Sequence, residues 1–470
     1  MNEITSHDNS ALPNSLHGKD IAFTLHPYAD ARLHEQIGPL IIEGGEGIHV
    51  VDDSGNRYIE GMGGLWSVAL GFKEQRLINA AVKQLNTLPY YHSFLHRTHP
   101  ATIEYAERLV RIAPESLTKV FFANSGSEAN DTAIKIVRYY NNALGRRTKK
   151  KIISRLRAYH GITMGAASLT GLPLNHEDFD LPLPGFLHTA PAHHYRYAAP
   201  GESEEDYATR LADELEAMIL KEGPDTVAAF VGEPVMGAGG VMVPPRTYWE
   251  KIQAVCRRHD VLVVVDEVIC GFGRTGKMFG CETFGIQPDI MLLSKQITSS
   301  YQPLSAVLIS DAIYQAVADN SHRLGTFGHG FTTGGHPVAM AVALESLKIY
   351  EERQIVSHVA EVAEVFRSRL DALLDHPMVG HTRNSGLVGA VEFVADKKTK
   401  AAFTPAGSFG RRVGQMAQAH GLIIRPIGDI VAFAPPLIIT EKQIHEMMDR
   451  FSLAVDEAYR WHREDGRSGS

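Results

Sequence analysis

Cysteine is nearly missing from this sequence. The three present, Cys256, Cys270 and Cys281, are an odd number, and no two form a CxxC pair. That excludes a disulfide framework and the cysteine-rich zinc sites, and it suits a reducing compartment. No apolar stretch is long enough to cross a bilayer. The opening residues, Met1 to Asp20, hold no hydrophobic run of the signal-peptide kind. The expected location is therefore the cytoplasm. Positive charge is also short: 46 Lys and Arg face 54 Asp and Glu, for a net charge of −8. The one basic cluster, Arg146–Lys151, is broken at Thr148 and reads as a solvated turn. Nucleic acid and membrane are thus not the expected partners. Neither an internal repeat nor a long linker divides the chain.

What is present is an ordinary globular composition over 470 residues, a length that suits two or three domains. The first twenty or so residues are rich in Asn, Ser and His and read as a loose arm. Further on, short apolar runs alternate with helix-like segments. Val120–Ala123, Lys151–Ser154, Val227–Val231, Val261–Val265 and Ile290–Leu293 are strand candidates. From Glu128, apolar residues recur at Ala133, Ile136, Val137 and Tyr140 with helical spacing, and Ala208–Lys221 and Tyr248–His259 are also patterned. Such alternation predicts an α/β fold, a mostly parallel central sheet covered by helices. In such sheets ligands lie beyond the carboxyl ends of the strands.

Three strand ends carry chemistry. Val263-Val264-Val265 leads into Asp266-Glu267, Met291-Leu292-Leu293 into Ser294-Lys295, and Phe121-Phe122-Ala123 into Asn124-Ser125-Gly126-Ser127-Glu128. They bring a carboxylate, an amine and a Gly/Ser turn to one sheet edge. The turn opens a helix, whose free N–H groups and dipole favour phosphate. A pyridoxal 5'-phosphate (PLP) enzyme needs these three things: a lysine amine that is partly neutral, a carboxylate that keeps the ring nitrogen protonated, and an anion nest. Each alone has a plainer reading, as a solvated lysine, an ion-paired aspartate or a helix cap.

The motifs extend well beyond these ends. They include Gly64-Leu65-Trp66, Asn124-Ser125-Gly126-Ser127-Glu128-Ala129, Tyr159-His160-Gly161, Gly232-Glu233-Pro234, Asp266 to Gly276, Ser294-Lys295, His329-Gly330-Phe331-Thr332 and Ala434-Pro435-Pro436. In order and spacing the chain resembles a class III aminotransferase of PLP fold type I. Within that class it is similar to the amine:pyruvate, or omega, transaminases, which include putrescine–pyruvate enzymes. The resemblance implies a role for each matching residue. Lys295 would be the Schiff-base lysine and proton shuttle. Asp266 would pair with the ring nitrogen. Val268 and Tyr159 would cover the two ring faces. Ser125, Gly126 and Ser127 would hold the phosphate, His160 would belong to the cofactor site, and Glu233 would support the network around Asp266. Thr332 would reach the phosphate of a neighbouring subunit's cofactor. That implies a homodimer with shared active sites, with a tetramer as a further assembly. The implied domains are 1–74, an N-terminal arm with part of a small α+β domain; 75–345, a large PLP-binding domain; and 346–470, the rest of the small domain.

The resemblance also bears on substrates. Arg425 matches an arginine that pairs with a carboxylate and swings aside for an apolar group; its plainer reading is a surface ion pair. Trp66, Tyr91 and Phe94 match or neighbour positions lining the amine pocket, and the plainer reading of the Tyr90–Phe94 aromatics is core. A primary amine or omega-amino compound as donor and pyruvate as acceptor are the expected substrates. A 2-oxoglutarate-dependent enzyme of the GABA or ornithine type, or a PLP aminomutase or decarboxylase, is the alternative. Gln296, Thr333-Gly334-Gly335 and Arg157-Ala158 depart from the common pattern and leave the donor open.

Two decoys remain. Gly271-Phe272-Gly273-Arg274-Thr275-Gly276 fits a dinucleotide-binding G-x-G-x-x-G, but Gly280, Gly285 and Pro288 come where a helix should open. His193-His194 and His96/His99 lack metal-ligand spacing, so no metal is expected.

Overall fold

The computed structural model of this protein describes residue 12 and residues 14–468. Its central sheet has seven strands: β1 (Leu117–Ala123), β2 (Lys151–Arg155), β3 (Phe186–Thr189), β4 (Val227–Gly232), β5 (Leu262–Asp266), β6 (Ile290–Leu293) and β7 (Ser305–Ser310). Their spatial order is β1-β7-β6-β5-β4-β2-β3. Strands β3, β2, β4, β5 and β6 pair in parallel. Only β7 runs against its neighbours, β6 and β1.

The inner strands are apolar on both faces, so helices must cover both. On one face Val231, Val264, Leu292 and Val307 pack against Ala129, Ala133, Ile136 and Val137 of helix Gly126–Ala143. On the other, Phe230, Val263, Val265, Met291 and Leu308 join helices Glu204–Glu222, Tyr248–Arg258 and Pro337–Glu352. Successive residues of one strand thus serve opposite cores, as the two-residue period requires.

Two smaller sheets flank this body. Ile42–Glu46, His49–Asp52 and Arg57–Glu60 form one, completed by Leu422–Ile423 from far along the chain. Val379–Ser385, Val388–Phe393, Ile430–Phe433 and Arg425–Ile427 form the other. The G-x-G-x-x-G stretch opens no long helix. Arg274 within it is fully buried and donates to the carbonyls of Leu387 (3.0 Å) and Pro435 (2.6 Å), fastening the segment to the C-terminal region.

The N-terminal arm corrects one expectation. Residues 1–11 lie outside the described residues, but the stretch from Ser15 onward is helical rather than loose. Leu16–Phe23 is a helix capped by the Ser15 hydroxyl, which accepts from the Gly18 N–H. Ala31–Ile37 is a second, capped by Asp30 through the N–H groups of Arg32 and Leu33. Both starts carry an ordinary Ser or Asp cap signal that the polar composition masks.

Candidate active site

The carboxyl ends of β1, β2, β4, β5 and β6 converge on one cleft. Gly126, Ser127, Tyr159, His160, Gly161, Glu233, Asp266, Val268, Ile269, Ser294 and Lys295 line it.

At the end of β1, the Ser125 hydroxyl caps helix Gly126–Ala143 by accepting from the Glu128 N–H (3.2 Å). Glu128 in turn accepts from the backbone and side-chain amides of Asn124 (2.7 and 2.8 Å). With these groups satisfied, the first turn's N–H groups are left as a positive concavity at the cleft. Gly161 closes over it. Its φ is +130°, and a Cβ there would lie 2.5 Å from the Ser127 hydroxyl, so no other residue fits.

Asp266 ends β5, buried. One of its oxygens accepts from Asn130 Nδ2 (3.0 Å) and faces His160 Nδ1 (2.8 Å), and the other accepts from the Val268 N–H (3.1 Å). Burial costs a carboxylate dearly unless it is hydrogen-bonded, and these contacts hold it in place. His160 is itself buried, and its Nε2 has no partner. Sequence reasoning misses Asn130, because its only signal is its place one turn into a helix that points at the cleft.

Lys295 comes directly after Ser294 at the end of β6. Its backbone φ is +48°, in the left-handed region that non-glycine residues seldom adopt. Loss of hydration holds its amine below the ordinary lysine range. The Asp266 and Glu233 carboxylates oppose that fall, and the Arg425 charge adds to it. A lowered amine is the state a nucleophilic lysine needs.

Glu233, fully enclosed, accepts from the Tyr159 N–H (3.0 Å) and the Gly237 N–H (2.9 Å). Burial raises its carboxyl, Asp266 adds to the rise, and His160 and Arg155 oppose it. Burial and the adjacent Tyr28 hydroxyl raise the Tyr159 phenol, while the Arg425 charge opposes them. Tyr28 comes from the N-terminal arm and also accepts from Asn175 Nδ2 (2.5 Å). Nothing in sequence spacing marks Tyr28; only the folded arm brings it here.

Arg425 starts a short strand, paired with Ala432. Its charge is felt at both Tyr159 and Lys295, yet no carboxylate pairs with it among the described residues. Trp66 is buried in one cluster with Met62, Val235 and Ile269 and is not among the residues that line the cleft. Tyr91, Phe94 and Thr332 are not among the cleft's lining residues. They form a separate exposed group: the Tyr90 hydroxyl donates to the Thr332 carbonyl (2.8 Å), and a Cβ at Gly330 would sit 2.8 Å from the Phe94 ring. Tyr90, Tyr91 and Phe94 are about 40% exposed, so the core reading of these aromatics fails.

An anion nest, a buried carboxylate held by His160 and Asn130, and a lysine with a lowered amine fit the phosphate, ring nitrogen and carbonyl of PLP. The sequence model of the family Aminotransferase class-III matches residues 30–455. This chain is a class III aminotransferase. Gamma aminobutyrate transaminase 1 of Solanum lycopersicum, a mitochondrial protein, is 47% identical over 97% of this chain and 87% of its own. Vanillin aminotransferase of Capsicum annuum is 46% identical, covering 95% of this chain and 96% of its own. The omega transaminase from Pseudomonas jessenii in complex with PMP superposes with a TM-score of 0.94 at 60% identity, over 95% of this aminotransferase and 99% of that chain. A transaminase solved with L-Ala gives a TM-score of 0.89 at 53% identity, over 90% and 99% of the two chains. The fold is thus PLP fold type I and the cofactor is PLP. The strand-end reading of the sequence agrees with the family on the cofactor, and the resemblance agrees with it on the fold.

Proposed function

We propose that this aminotransferase moves the amino group of a primary amine or omega-amino compound to pyruvate, in two half-reactions at one cleft. The observation that carries the reading is Arg425, a guanidinium beside the cleft with no carboxylate partner among the described residues. An unpaired arginine is a ready seat for one substrate carboxylate. A dicarboxylic acceptor such as 2-oxoglutarate asks for a second cation, and Arg425 is the arginine whose charge acts on the cleft lysine. Pyruvate needs just one. The relative solved with L-Ala, the amino acid that pyruvate becomes, supports the same choice.

Bound PLP supplies the electron sink that makes the substrate's α-proton removable. The chain's own residues do the rest. Lys295 Nζ takes the proton from one carbon and returns it at the other. Asp266, fixed by His160 and Asn130, would pair with the ring nitrogen. Val268 and Tyr159 hold the ring between them. Ser125, Gly126 and Ser127 seat the phosphate, and Glu233 steadies Tyr159 through its backbone N–H. Thr332, with Tyr91 and Phe94 beside it, completes the cleft of a second copy, which makes the working unit a homodimer. A large domain over 75–345 carries the cofactor, with 1–74 and 346–470 as its companion. No helix among the described residues is long and apolar enough to cross a membrane, and the three cysteines are buried and free, which suits the cytoplasm.

The test is an absorbance spectrum of the PLP-loaded protein, first with 1-phenylethylamine, then with pyruvate or 2-oxoglutarate. We expect the cofactor band to vanish with the amine and return with pyruvate. Return with 2-oxoglutarate alone would give the acceptor site to the GABA type, and a band indifferent to every amine would end the amine:pyruvate reading.

A further inference from the structure

A second set of donor atoms converges outside the cleft. Asp20 lies on helix Leu16–Phe23, His34 on helix Ala31–Ile37, and His26 on the loop between them. His26 Nε2 and His34 Nε2 stand 2.7 and 2.9 Å from the same oxygen, Asp20 Oδ2. All three donor atoms lie within 4.8 Å of one another, and no other such group of His, Cys, Asp or Glu occurs among the described residues. The two imidazole rings are 4.2 Å apart between centroids. The side chains are partly withdrawn from water, at 33% for His26, 23% for Asp20 and 13% for His34.

Two imidazoles and a carboxylate are the donor set that borderline divalent metals prefer, with a fourth position left for water. Tetrahedral zinc with bonds of about 2.0–2.1 Å spaces its ligand atoms about 3.3 Å apart. The present separations are shorter by roughly half an ångström, a gap that small side-chain rotations open. A cavity of about 300 Å³, lined in part by His26, His34 and Glu35, adjoins the group and gives an ion a way in.

The position of the group gives it a use. Neither arm helix contains a buried residue, so apolar packing does little to hold the arm down. Yet the arm carries Tyr28, two residues beyond His26, onto Asn175 and Tyr159. A bond joining positions 14 residues apart would remove the loop entropy that opposes that placement. We propose that Asp20, His26 and His34 bind one divalent transition-metal ion, which fastens the N-terminal arm and Tyr28 over the active site. Metal binding at this group needs no assumption about the amine or the acceptor.

The experiment uses the full-length PLP-loaded enzyme without an affinity tag, stripped with EDTA and dialysed against micromolar Zn²⁺. Bound zinc is counted, and trypsin cleavage after Lys19 and Arg32 is timed by mass spectrometry. The expected result is one zinc per chain and cleavage slowed about tenfold, both lost in His26→Ala/His34→Ala. PLP content is measured alongside to show that the variant folds, and Asp20→Asn serves in its place if it does not. Zinc-free wild type, or equal zinc in wild type and variant, overturns the site. Zinc retained without slower cleavage overturns the fastening of the arm.

Discussion

At the scale of single residues, the proposed reaction divides its work among three groups, and each can be removed separately. Lys295→Ala should abolish turnover and the lysine-linked absorbance while leaving the fold intact; measurable turnover in that variant would remove Lys295 from the chemistry. Asp266→Asn keeps the side chain's size and loses the charge that His160 and Asn130 hold in place. Its kcat should fall by at least about a hundredfold, because ring protonation loses its partner. Arg425→Ala should raise the KM for pyruvate by about ten- to a hundredfold, the worth of a charge-assisted hydrogen-bond pair. The half-reaction with a neutral amine should hardly change. Equal losses in both halves would make Arg425 a structural residue. These three positions are legible in the sequence because strand-end motifs place Lys295 and Asp266 locally, and the family pattern marks Arg425. Asn130 and Tyr28 are not legible, since each acts across a gap that no local spacing records.

At the scale of elements, the loops after the strands are held by buried carboxyl groups. Glu267, just past β5, accepts from the Gly280 N–H (2.9 Å) and the Cys281 N–H (2.6 Å), pinning the loop that carries Arg274. Burial pushes its carboxyl up to about 7 from 4.5, against the pull of those two donors. In acid the group is protonated in both folded and unfolded chains. As pH rises past 4.5 the unfolded chain ionises first. The stability Glu267 contributes in acid is then lost as pH rises through about 7. The full loss is on the order of 3 kcal/mol. Urea midpoints of the holoenzyme at about pH 5 and about pH 8 should fall further for wild type than for Glu267→Gln. A parallel fall in both would show that Glu267 does not titrate in this range. The strand and helix pattern is readable where runs are long and apolar, as in β4 and β5. Strands β3 and β7 escape such reading: Phe186–Thr189 is only four residues and contains a histidine, and Ser305–Ser310 is short and capped by serines at both ends.

At the scale of the whole molecule, most of the residues expected at the cofactor and substrate divide into two sets. One lines the cleft around Lys295, and the other, Tyr91, Phe94 and Thr332, is exposed elsewhere on the same chain. The proposed homodimer would bring the second set to its partner's cleft. If sites are shared, Lys295→Ala and Thr332→Asp should each be inactive alone yet restore activity when co-expressed. A random mixture of dimers then holds about a quarter of its sites intact. No recovery in mixed dimers of normal size would place Thr332 at its own chain's cleft.

The sequence by itself determined the mostly parallel sheet, the placing of Asp266, Lys295 and the Ser125–Ser127 turn at one edge of it, and the class of cofactor. Those are consequences of local order: an apolar run must bury, and the polar residue that ends it must sit at the sheet's edge. Only the tertiary structure decided that His160 and Asn130 would hold Asp266, that the Arg425 charge would act on Lys295 with no carboxylate partner among the described residues, and that Tyr28 would reach Tyr159. It alone brought Asp20, His26 and His34 to within bonding distance of one another. Each of these depends on where separate elements pack, and packing is set by the shape of both cores together, which no single stretch of sequence contains.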